Sequence, residues 1–180
     1  MRRGTTLLEI VVAGSVLAVA FSIYAGTSLA VRNEARATHE VTLASFACQR
    51  VVEAMRAAPF DEIFARWNHD RGDDPDGAGT APGVSFDVPG LSSVEGDDDG
   101  LVGEVLLPEI EVQPGVWQLR EDSNAADLGM PRDLNGDSVL DDVDHSQDYF
   151  QIPVCVRARW NGRTGPCKYE LYALLVAFRR

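Results

Sequence analysis

The chain has 180 residues and a formal net charge of −12 at pH 7, a length that allows one modest domain and an additional segment. Much of the excess acid lies in short loops, at residues 73–76, 97–99 and 133–144. This charge balance argues against a nucleic-acid partner, because neutralising phosphates requires a basic surface. It is compatible with divalent cations, which clustered carboxylates attract.

The first predicted element is an apolar helix near the N-terminus. No charged residue occurs from Ile10 to Ala30, and this stretch is long enough to span a bilayer as a helix. Arg2 and Arg3 precede it and the next basic residue is Arg32, which predicts an N-terminus that stays in the cytoplasm. A cleavable secretory signal is the alternative, supported by the small residues near Ala30, although its apolar core is normally about 7–15 residues long.

The helical pattern continues beyond the apolar run. Apolar residues recur among charged ones at a spacing typical of a helix with one apolar stripe. They are Val31, Ala35, Val41, Phe46, Val52 and Met55. No glycine or proline occurs between Gly26 and Pro59, so we expect one helix from Thr5 to Ala58, with Gly26 as its weakest point. Its amphipathic second half must pack on another element.

The remainder of the chain is predicted to form a small antiparallel sheet domain. FDEIFARW reads as a short further helix, and NGRTG as a hairpin turn that contains the strong signal Asn161-Gly162. In VCVRARW, Val154, Val156 and Ala158 alternate with Cys155, Arg157 and Arg159, which is the pattern of a half-buried strand. Cys155 and Cys167 would bridge this hairpin only in a register that the sequence does not determine. The other predicted strands are VSFDV, GLVGEVLLPEIEV, VWQLRE and KYELYALLVAF.

The N-terminus carries a family resemblance. RRG followed by TTLLEIVVAGSVLAVA resembles the class III signal of type IV prepilins and type II secretion pseudopilins. In that family, a prepilin peptidase cuts after the glycine and methylates the new amine, and an acid stands at the fifth position of the mature chain. The resemblance implies a cut between Gly4 and Thr5, methylation of the Thr5 amine, and an assembly role for Glu9. The family usually has phenylalanine where this chain has Thr5.

The resemblance also implies an architecture. The leader would be residues 1–4, the membrane-spanning and later filament-core helix residues 5–31, and the amphipathic half of the same helix residues 32–58. Residues 59–180 would form the sheet domain. The expected fold class is therefore α+β and pilin-like, with a long N-terminal helix packed on a small antiparallel sheet. The C-terminal hairpin is likewise similar to those of minor pilins and minor pseudopilins.

The function that the resemblance implies is structural rather than enzymatic, with no catalytic residue. The chain would be a subunit of a type IV pilus-like or type II secretion pseudopilus filament. Its partners would be prepilin peptidase, membrane lipid before assembly, and other pilins or pseudopilins in the fibre. It would cross the inner (cytoplasmic) membrane once, with its N-terminus in the cytoplasm and its C-terminal domain in the periplasm or outside the cell.

Glu9 also has an ordinary local interpretation. Thr6 and Glu9 have the spacing of a capping box, and an acid in the first helical turn suits the positive end of the helix dipole. An ordinary signal anchor would tolerate it there. The alternative function is therefore a membrane-anchored or secreted calcium-binding interaction module with no filament role. A secreted hydrolase is a third possibility, but no catalytic motif is evident in the sequence.

Residues 133–144, DLNGDSVLDDVD, are the second informative stretch. Their oxygen-bearing side chains occupy positions one, three, five, nine and twelve of a calcium loop, with a carbonyl expected at position seven. The predicted ligands of a structural calcium ion are Asp133, Asn135, Asp137, the carbonyl of Val139, Asp141 and Asp144. Ser138 replaces the turn glycine of the EF-hand and Asp144 its bidentate glutamate, and this form resembles dockerin calcium loops. The alternative is a solvated acidic turn.

Overall fold

The computed structural model describes residues 6–97, 99–163 and 165–177. The chain divides into two compact units, one ending at His39 and the other spanning Glu40–Arg180. The predicted cleavage position, Gly4 and Thr5, lies outside the described residues. The described residues form a long N-terminal helix and a small antiparallel sheet, which confirms the α+β fold class.

Helix α1 extends over Leu7–Ala57 and passes through Gly26 without interruption. From Leu7 to Val31, its large apolar side chains are exposed over 53–82% of their area. An 18-residue window of this helix has a mean hydropathy of 2.1, and none of that window is buried. By length and composition, the helix is therefore able to act as a single membrane span or as a signal sequence.

Three hydroxyl groups within the apolar run are satisfied by the helix itself. The hydroxyl groups of Ser15 and Ser22 each donate a hydrogen bond of 2.8 Å to the carbonyl oxygen four residues earlier. Thr27 donates in the same way to Ile23, at 3.1 Å. Because these three hydroxyl groups need no partner from water, they are compatible with an apolar environment.

In the second unit, α1 buries a narrow stripe of small and medium side chains against the domain. Two residues of the predicted stripe, Val52 and Met55, belong to this buried face. Val41 and Phe46 do not, since they are exposed over 46% and 61% of their area. Small side chains at the contact allow close packing, and this favours the observed face over the one that carries Phe46. The buried residues of α1 are Ala44, Cys48, Val52 and Met55.

The predicted short helix is confirmed as a 3-10 turn, Phe60–Glu62, followed by α2, Ile63–Trp67. Two sheets follow in the described residues. The four-stranded antiparallel sheet has the order β1-β2-β5-β6, and β3 pairs with β4 separately. The strands are β1 Ser85–Phe86, β2 Gly103–Leu106, β3 Glu109–Gln113, β4 Val116–Leu119, β5 Gln151–Gly162 and β6 Gly165–Val176.

The predicted run GLVGEVLLPEIEV is divided between the two sheets. Strand β2 ends at Leu106, and β3 begins at Glu109 as part of the other sheet. Pro108 lies between them, and proline supplies no backbone N–H for a central ladder. The prediction of one strand was therefore wrong at this proline, although both halves are strands.

The turn of the β5–β6 hairpin lies further along the chain than the Asn-Gly signal predicts. Gly162 pairs with Gly165, so Asn161 and Gly162 are the last residues of β5 and not the turn. The backbone N–H of Asn161 also donates to the carbonyl oxygen of Ser92, at 2.8 Å, which holds the strand extended at this point.

The register of this hairpin separates its two cysteines. Cys155 lies opposite Tyr172, and Cys167 lies opposite Trp160. The two Cα atoms are therefore about 17 Å apart along the strands, from a rise of about 3.3 Å per residue. A disulfide requires Cα atoms within about 7 Å, so this register excludes a bond between them, and both thiols are free.

The face of β5 that packs on α1 carries Trp160, whose indole N–H donates to Glu40 at 3.1 Å. On the other face, Arg159 is exposed as the predicted alternation requires, but Cys155 is fully buried. The segment around Leu128 lies against β5 and belongs to the same core. Cover on both faces explains why the alternation fails in the first half of this strand.

Candidate functional site

The start of α1 combines exposed apolar residues with one carboxylate. The backbone N–H of Thr6 donates to Glu9 Oε2 at 2.9 Å, and the N–H of Glu9 donates to Thr6 Oγ1 at 3.4 Å. These reciprocal bonds form a capping box, which confirms the predicted local role of Glu9. The carboxylate also lies in the first turn, where the helix dipole favours a negative charge.

The acidic loop, residues 133–144, connects β4 to β5 and is anchored at its beginning. Leu134 is fully buried, and its carbonyl oxygen accepts hydrogen bonds from the N–H groups of Phe150 and Gln151, at 2.9 and 3.1 Å. The side-chain amide of Gln151 donates to the carbonyl oxygen of Asp133, at 2.6 Å. Leu140, in contrast, is exposed over 53% of its area. The first residues of the loop are thus fixed by the core, while its middle is exposed.

The side chains of the first three predicted ligands accept hydrogen bonds from backbone N–H groups within the loop. Asp133 accepts the N–H groups of Gly136 and Ser138, at 2.5 and 2.8 Å. Asn135 Oδ1 accepts the N–H of Asp137 at 3.0 Å, and Asp137 Oδ1 accepts the N–H of the residue two positions later at 2.7 Å. Each side chain is therefore held by the backbone of its own loop.

Ser138 takes the backbone conformation of the residue that it replaces. Its φ is +69°, in the left-handed region that favours glycine, which the EF-hand has at this position. Gly136 has a φ of +84°, and a Cβ atom there would lie 2.6 Å from the ring of Phe150. The loop therefore makes its sharp turn with serine, and it needs glycine two positions earlier for close packing.

The last two predicted side-chain ligands also contact residues outside the loop. Asp144 Oδ1 accepts the N–H of Leu119 in β4, at 3.2 Å, and the N–H of Ser146, at 3.0 Å. Asp141 Oδ1 accepts the N–H of Val143 at 3.0 Å and also contacts a histidine ring. Asp144 thus ties the end of the loop to the neighbouring sheet.

Glu121 is a candidate site residue that sequence reasoning missed. It follows β4 and is fully buried. Its Oε1 accepts the N–H of Leu134 at 2.5 Å and that of Asn135 at 3.3 Å. Its Oε2 has no hydrogen-bond partner among the described residues. The sequence gives no signal for this role, since Glu121 stands in the charged run Arg120-Glu121-Asp122 and contacts the loop only in the folded chain.

His145 completes a cluster of donors beside the acidic loop. Its ring is buried, with Nδ1 3.0 Å from Asp148 Oδ1 and Nε2 3.0 Å from Asp141 Oδ1. Nε2 also lies 3.9 Å from Glu121 Oε1. Burial alone lowers the pKa of His145, but the hydrogen bonds to Asp141 and Asp148 and the charge of Glu121 outweigh it and raise this pKa above its ordinary value.

The donors that the structure brings closest together are therefore not the predicted set. Among the described residues, one donor atom each from Glu121, Asp141 and His145 lie within 4.8 Å of one another, and no other such group of three acidic, histidine or cysteine side chains occurs. Asp141 belongs both to this group and to the predicted calcium ligands. The other predicted aspartate ligands, Asp133, Asp137 and Asp144, lie outside the group.

Comparison of the chain with protein-family models, with curated proteins and with solved structures gives no match.

Proposed function

We propose that this chain is a structural, non-enzymatic subunit of a type IV pilus-like or type II secretion pseudopilus filament. The observation that carries the proposal is an apolar helix with exposed side chains that has a single carboxylate, Glu9, in its first turn. The leader Arg2-Arg3-Gly4 precedes this helix in the sequence. In this proposal the peptidase cuts after Gly4, and the mature chain begins at Thr5.

The same helix serves two environments in this proposal. Before assembly, it crosses the inner membrane once, with the N-terminus in the cytoplasm and the sheet domain on the other side. In the fibre, the exposed side chains of Leu7–Val31 pack against equivalent helices of other subunits. Burial of apolar surface from water stabilises an assembly by roughly 25 cal/mol per Å². Lipid already shields this helix from water, so that contribution is absent here. Helix packing and polar pairing must therefore favour assembly.

Glu9 supplies the polar pairing. Cleavage would create a cationic amine at Thr5, and a carboxylate in an apolar environment requires such a partner. In the fibre, the partner is the Thr5 amine of a neighbouring subunit. The hydrogen bonds of Glu9 to Thr6 are local and exposed, so they can be exchanged when a subunit enters the fibre.

The substitution Glu9→Gln tests this pairing. Glutamine preserves the size of the side chain and its acceptor in the capping box, but it removes the charge. Removing one partner of a buried ion pair costs about 3–5 kcal/mol. We therefore expect the variant to accumulate in the membrane fraction and to be depleted on the order of a hundredfold from sheared fibres, measured by quantitative immunoblotting of both fractions.

Glu34→Gln is the matched control, because it removes an acid from the same helix outside the apolar run. It is expected to enter fibres as the unmodified chain does. Equal incorporation of Glu9→Gln and the unmodified chain would contradict the proposed pairing. Absence of this protein from every fibre fraction would favour the alternative, a membrane-anchored or secreted calcium-binding interaction module.

We further propose that the acidic loop binds one structural calcium ion through Asp133, Asn135, Asp137, the carbonyl of Val139, Asp141 and Asp144. Support comes from the ligand spacing and from the left-handed turn at Ser138. The backbone bonds to the first three side chains hold them in fixed orientations. Calcium would neutralise carboxylates that otherwise repel one another. Its role is to fix the segment between β4 and β5.

A further inference from the structure

We propose that Glu121, Asp141 and His145, here called the buried triad, form a separate site for a transition-metal ion of the Zn²⁺ class. This site is distinct from the calcium loop in ligand chemistry, although the two share Asp141. It lies in the domain and does not depend on the filament role. Its three donors come from the end of β4, the acidic loop and the turn that follows.

The distances within the buried triad suit direct coordination. Ligand atoms bound to tetrahedral zinc at about 2.0–2.2 Å lie about 3.3–3.5 Å apart. His145 Nε2 lies 3.0 Å from Asp141 Oδ1 and 3.9 Å from Glu121 Oε1, on either side of that value. The donor atoms of Asp141 and Glu121 lie within 4.8 Å of each other, so side-chain shifts of up to about 1 Å would place all three donors around one ion.

Glu121 provides an independent indication of a cation. Its side chain is fully buried, yet Oε2 has no hydrogen-bond partner among the residues that the structure describes. A buried carboxylate is costly unless it is paired or coordinates a metal. Its other oxygen accepts two backbone N–H groups, which fixes the carboxylate in place beside His145.

His145 is oriented as a metal ligand. Its Nδ1 lies 3.0 Å from Asp148 Oδ1, and donation from Nδ1–H to this carboxylate leaves the lone pair of Nε2 directed at the buried triad. A ring that donates one N–H to a carboxylate and binds metal through the other nitrogen is the usual arrangement for histidine ligands. Asp148 is therefore a positioning residue and not itself a ligand.

The competing explanation is an imidazolium ring with no metal. In that case the Nε2 proton is donated to Asp141, the nearer carboxylate at 3.0 Å. Glu121 would then remain buried with Oε2 unpaired, because Oε1, at 3.9 Å from the ring, already accepts two amides. A metal ion at the buried triad would compensate the negative charge of both carboxylates together. The nitrogen donor favours zinc over calcium, which takes oxygen ligands.

The test uses the full chain in detergent micelles, stripped of metal with a chelator. Zn²⁺ binding is measured by equilibrium dialysis with metal analysis in excess Ca²⁺, and Co²⁺ serves as a spectroscopic probe. We expect one Zn²⁺ per chain and the intense visible absorption of tetrahedral Co²⁺. Glu121→Gln and His145→Gln should each weaken Zn²⁺ binding at least tenfold. Glu121→Gln retains an acceptor for the two amides that hold the loop.

Asp148→Asn tests the positioning role. It should weaken Zn²⁺ binding roughly 10–100-fold, as substitutions of such partners do, but preserve the tetrahedral Co²⁺ spectrum at saturation. Asp142→Asn is the matched control, since it removes an exposed carboxylate of the same loop that belongs neither to the buried triad nor to the predicted calcium ligands. It is expected to leave Zn²⁺ binding unchanged.

Three results would overturn the proposal. The first is an unmodified chain that binds no Zn²⁺ and gives no tetrahedral Co²⁺ spectrum, which would leave the imidazolium arrangement. Stoichiometric displacement of Zn²⁺ by Ca²⁺ would assign the donors to the calcium loop instead. Thiolate-to-cobalt charge-transfer absorption would place the ion on the free cysteines.

Discussion

At the scale of single residues, the calcium proposal distinguishes aspartates of one loop by their position in the ligand register, although their chemistry is the same. Asp137 is a predicted ligand, whereas Asp142 is an aspartate of the same loop outside the ligand register. Asp142 makes one distant ion pair, 3.9 Å from Arg120, and is exposed over 81% of its side chain. The two residues are therefore a matched pair for substitution.

We expect Ca²⁺ to raise the melting temperature of the full chain in detergent and Asp137→Asn to abolish most of that rise. At ten to a hundred times the dissociation constant, ligand binding stabilises a fold by about 1.4–2.7 kcal/mol. Calcium loops of extracellular modules bind with dissociation constants of roughly 10⁻⁴–10⁻³ M, so about 10 mM Ca²⁺ is ten to a hundred times that constant. Differential scanning calorimetry with and without Ca²⁺ measures the effect.

Asp142→Asn should retain the full Ca²⁺-dependent rise, because its exposed ion pair contributes little. If Ca²⁺ shifts the melting temperature of neither the unmodified chain nor this control, the loop is a solvated acidic turn. An equal response from Asp137→Asn and Asp142→Asn would show that Ca²⁺ acts elsewhere.

The sequence predicted some of these residue roles and not others for a physical reason. The capping box of Thr6 and Glu9 and the order of the loop aspartates depend on local spacing, which the sequence displays directly. Glu121 approaches the loop from the end of another strand, and only the folded chain brings them together. Ser138 was predictable only in part. The ligand spacing of the loop indicates a sharp turn at its position, but serine is not a residue type that indicates a left-handed φ.

At the scale of elements, the helix and strands were predictable where local signals were strong. The long helix follows from the absence of proline and glycine after Gly26. The existence of the hairpin follows from its alternation and turn residues, although Asn161 and Gly162 are the last residues of β5 and not the turn. The side of α1 that faces the sheet was less predictable. Ala44 and Cys48 are small, so they add little to a hydrophobic pattern, although both are fully buried. Large Phe46 dominates the pattern but points away from the core.

Paired alanine substitutions test this helix face. Met55 is fully buried in α1, so Met55→Ala should destabilise the domain by about 2–5 kcal/mol through lost burial and a cavity. Phe46→Ala should change the free energy of unfolding by only about 0.5 kcal/mol, since Phe46 is exposed over 61% of its area. Urea unfolding of the detergent-solubilised chain, followed by tryptophan fluorescence, compares the two.

A larger loss from Phe46→Ala than from Met55→Ala would contradict the buried face described here. It would mean that α1 presents the side that carries Phe46 to the domain. Equal stability of both variants and the unmodified chain would mean that the second half of α1 does not pack on the sheet.

At the scale of the whole molecule, the chain joins a segment suited to lipid or helix packing to a small acidic domain. Its first unit has exposed apolar side chains on α1, and its second unit has a core of its own, built from α1, α2 and the four-stranded sheet. The α+β class was predictable because each element has a local sequence signal. The filament role stays a prediction from the N-terminal resemblance, because assembly would depend on a covalent cut and on other subunits.

The central claim is that the mature chain begins at Thr5 with a methylated amine. Mass spectrometry of the protein purified from the membrane of cells that contain prepilin peptidase measures this terminus directly. The proposal predicts an N-terminal peptide that starts at Thr5 and carries one methyl group on its amine. A chain that retains Met1, or one that starts near Val31 after ordinary signal cleavage, would contradict it.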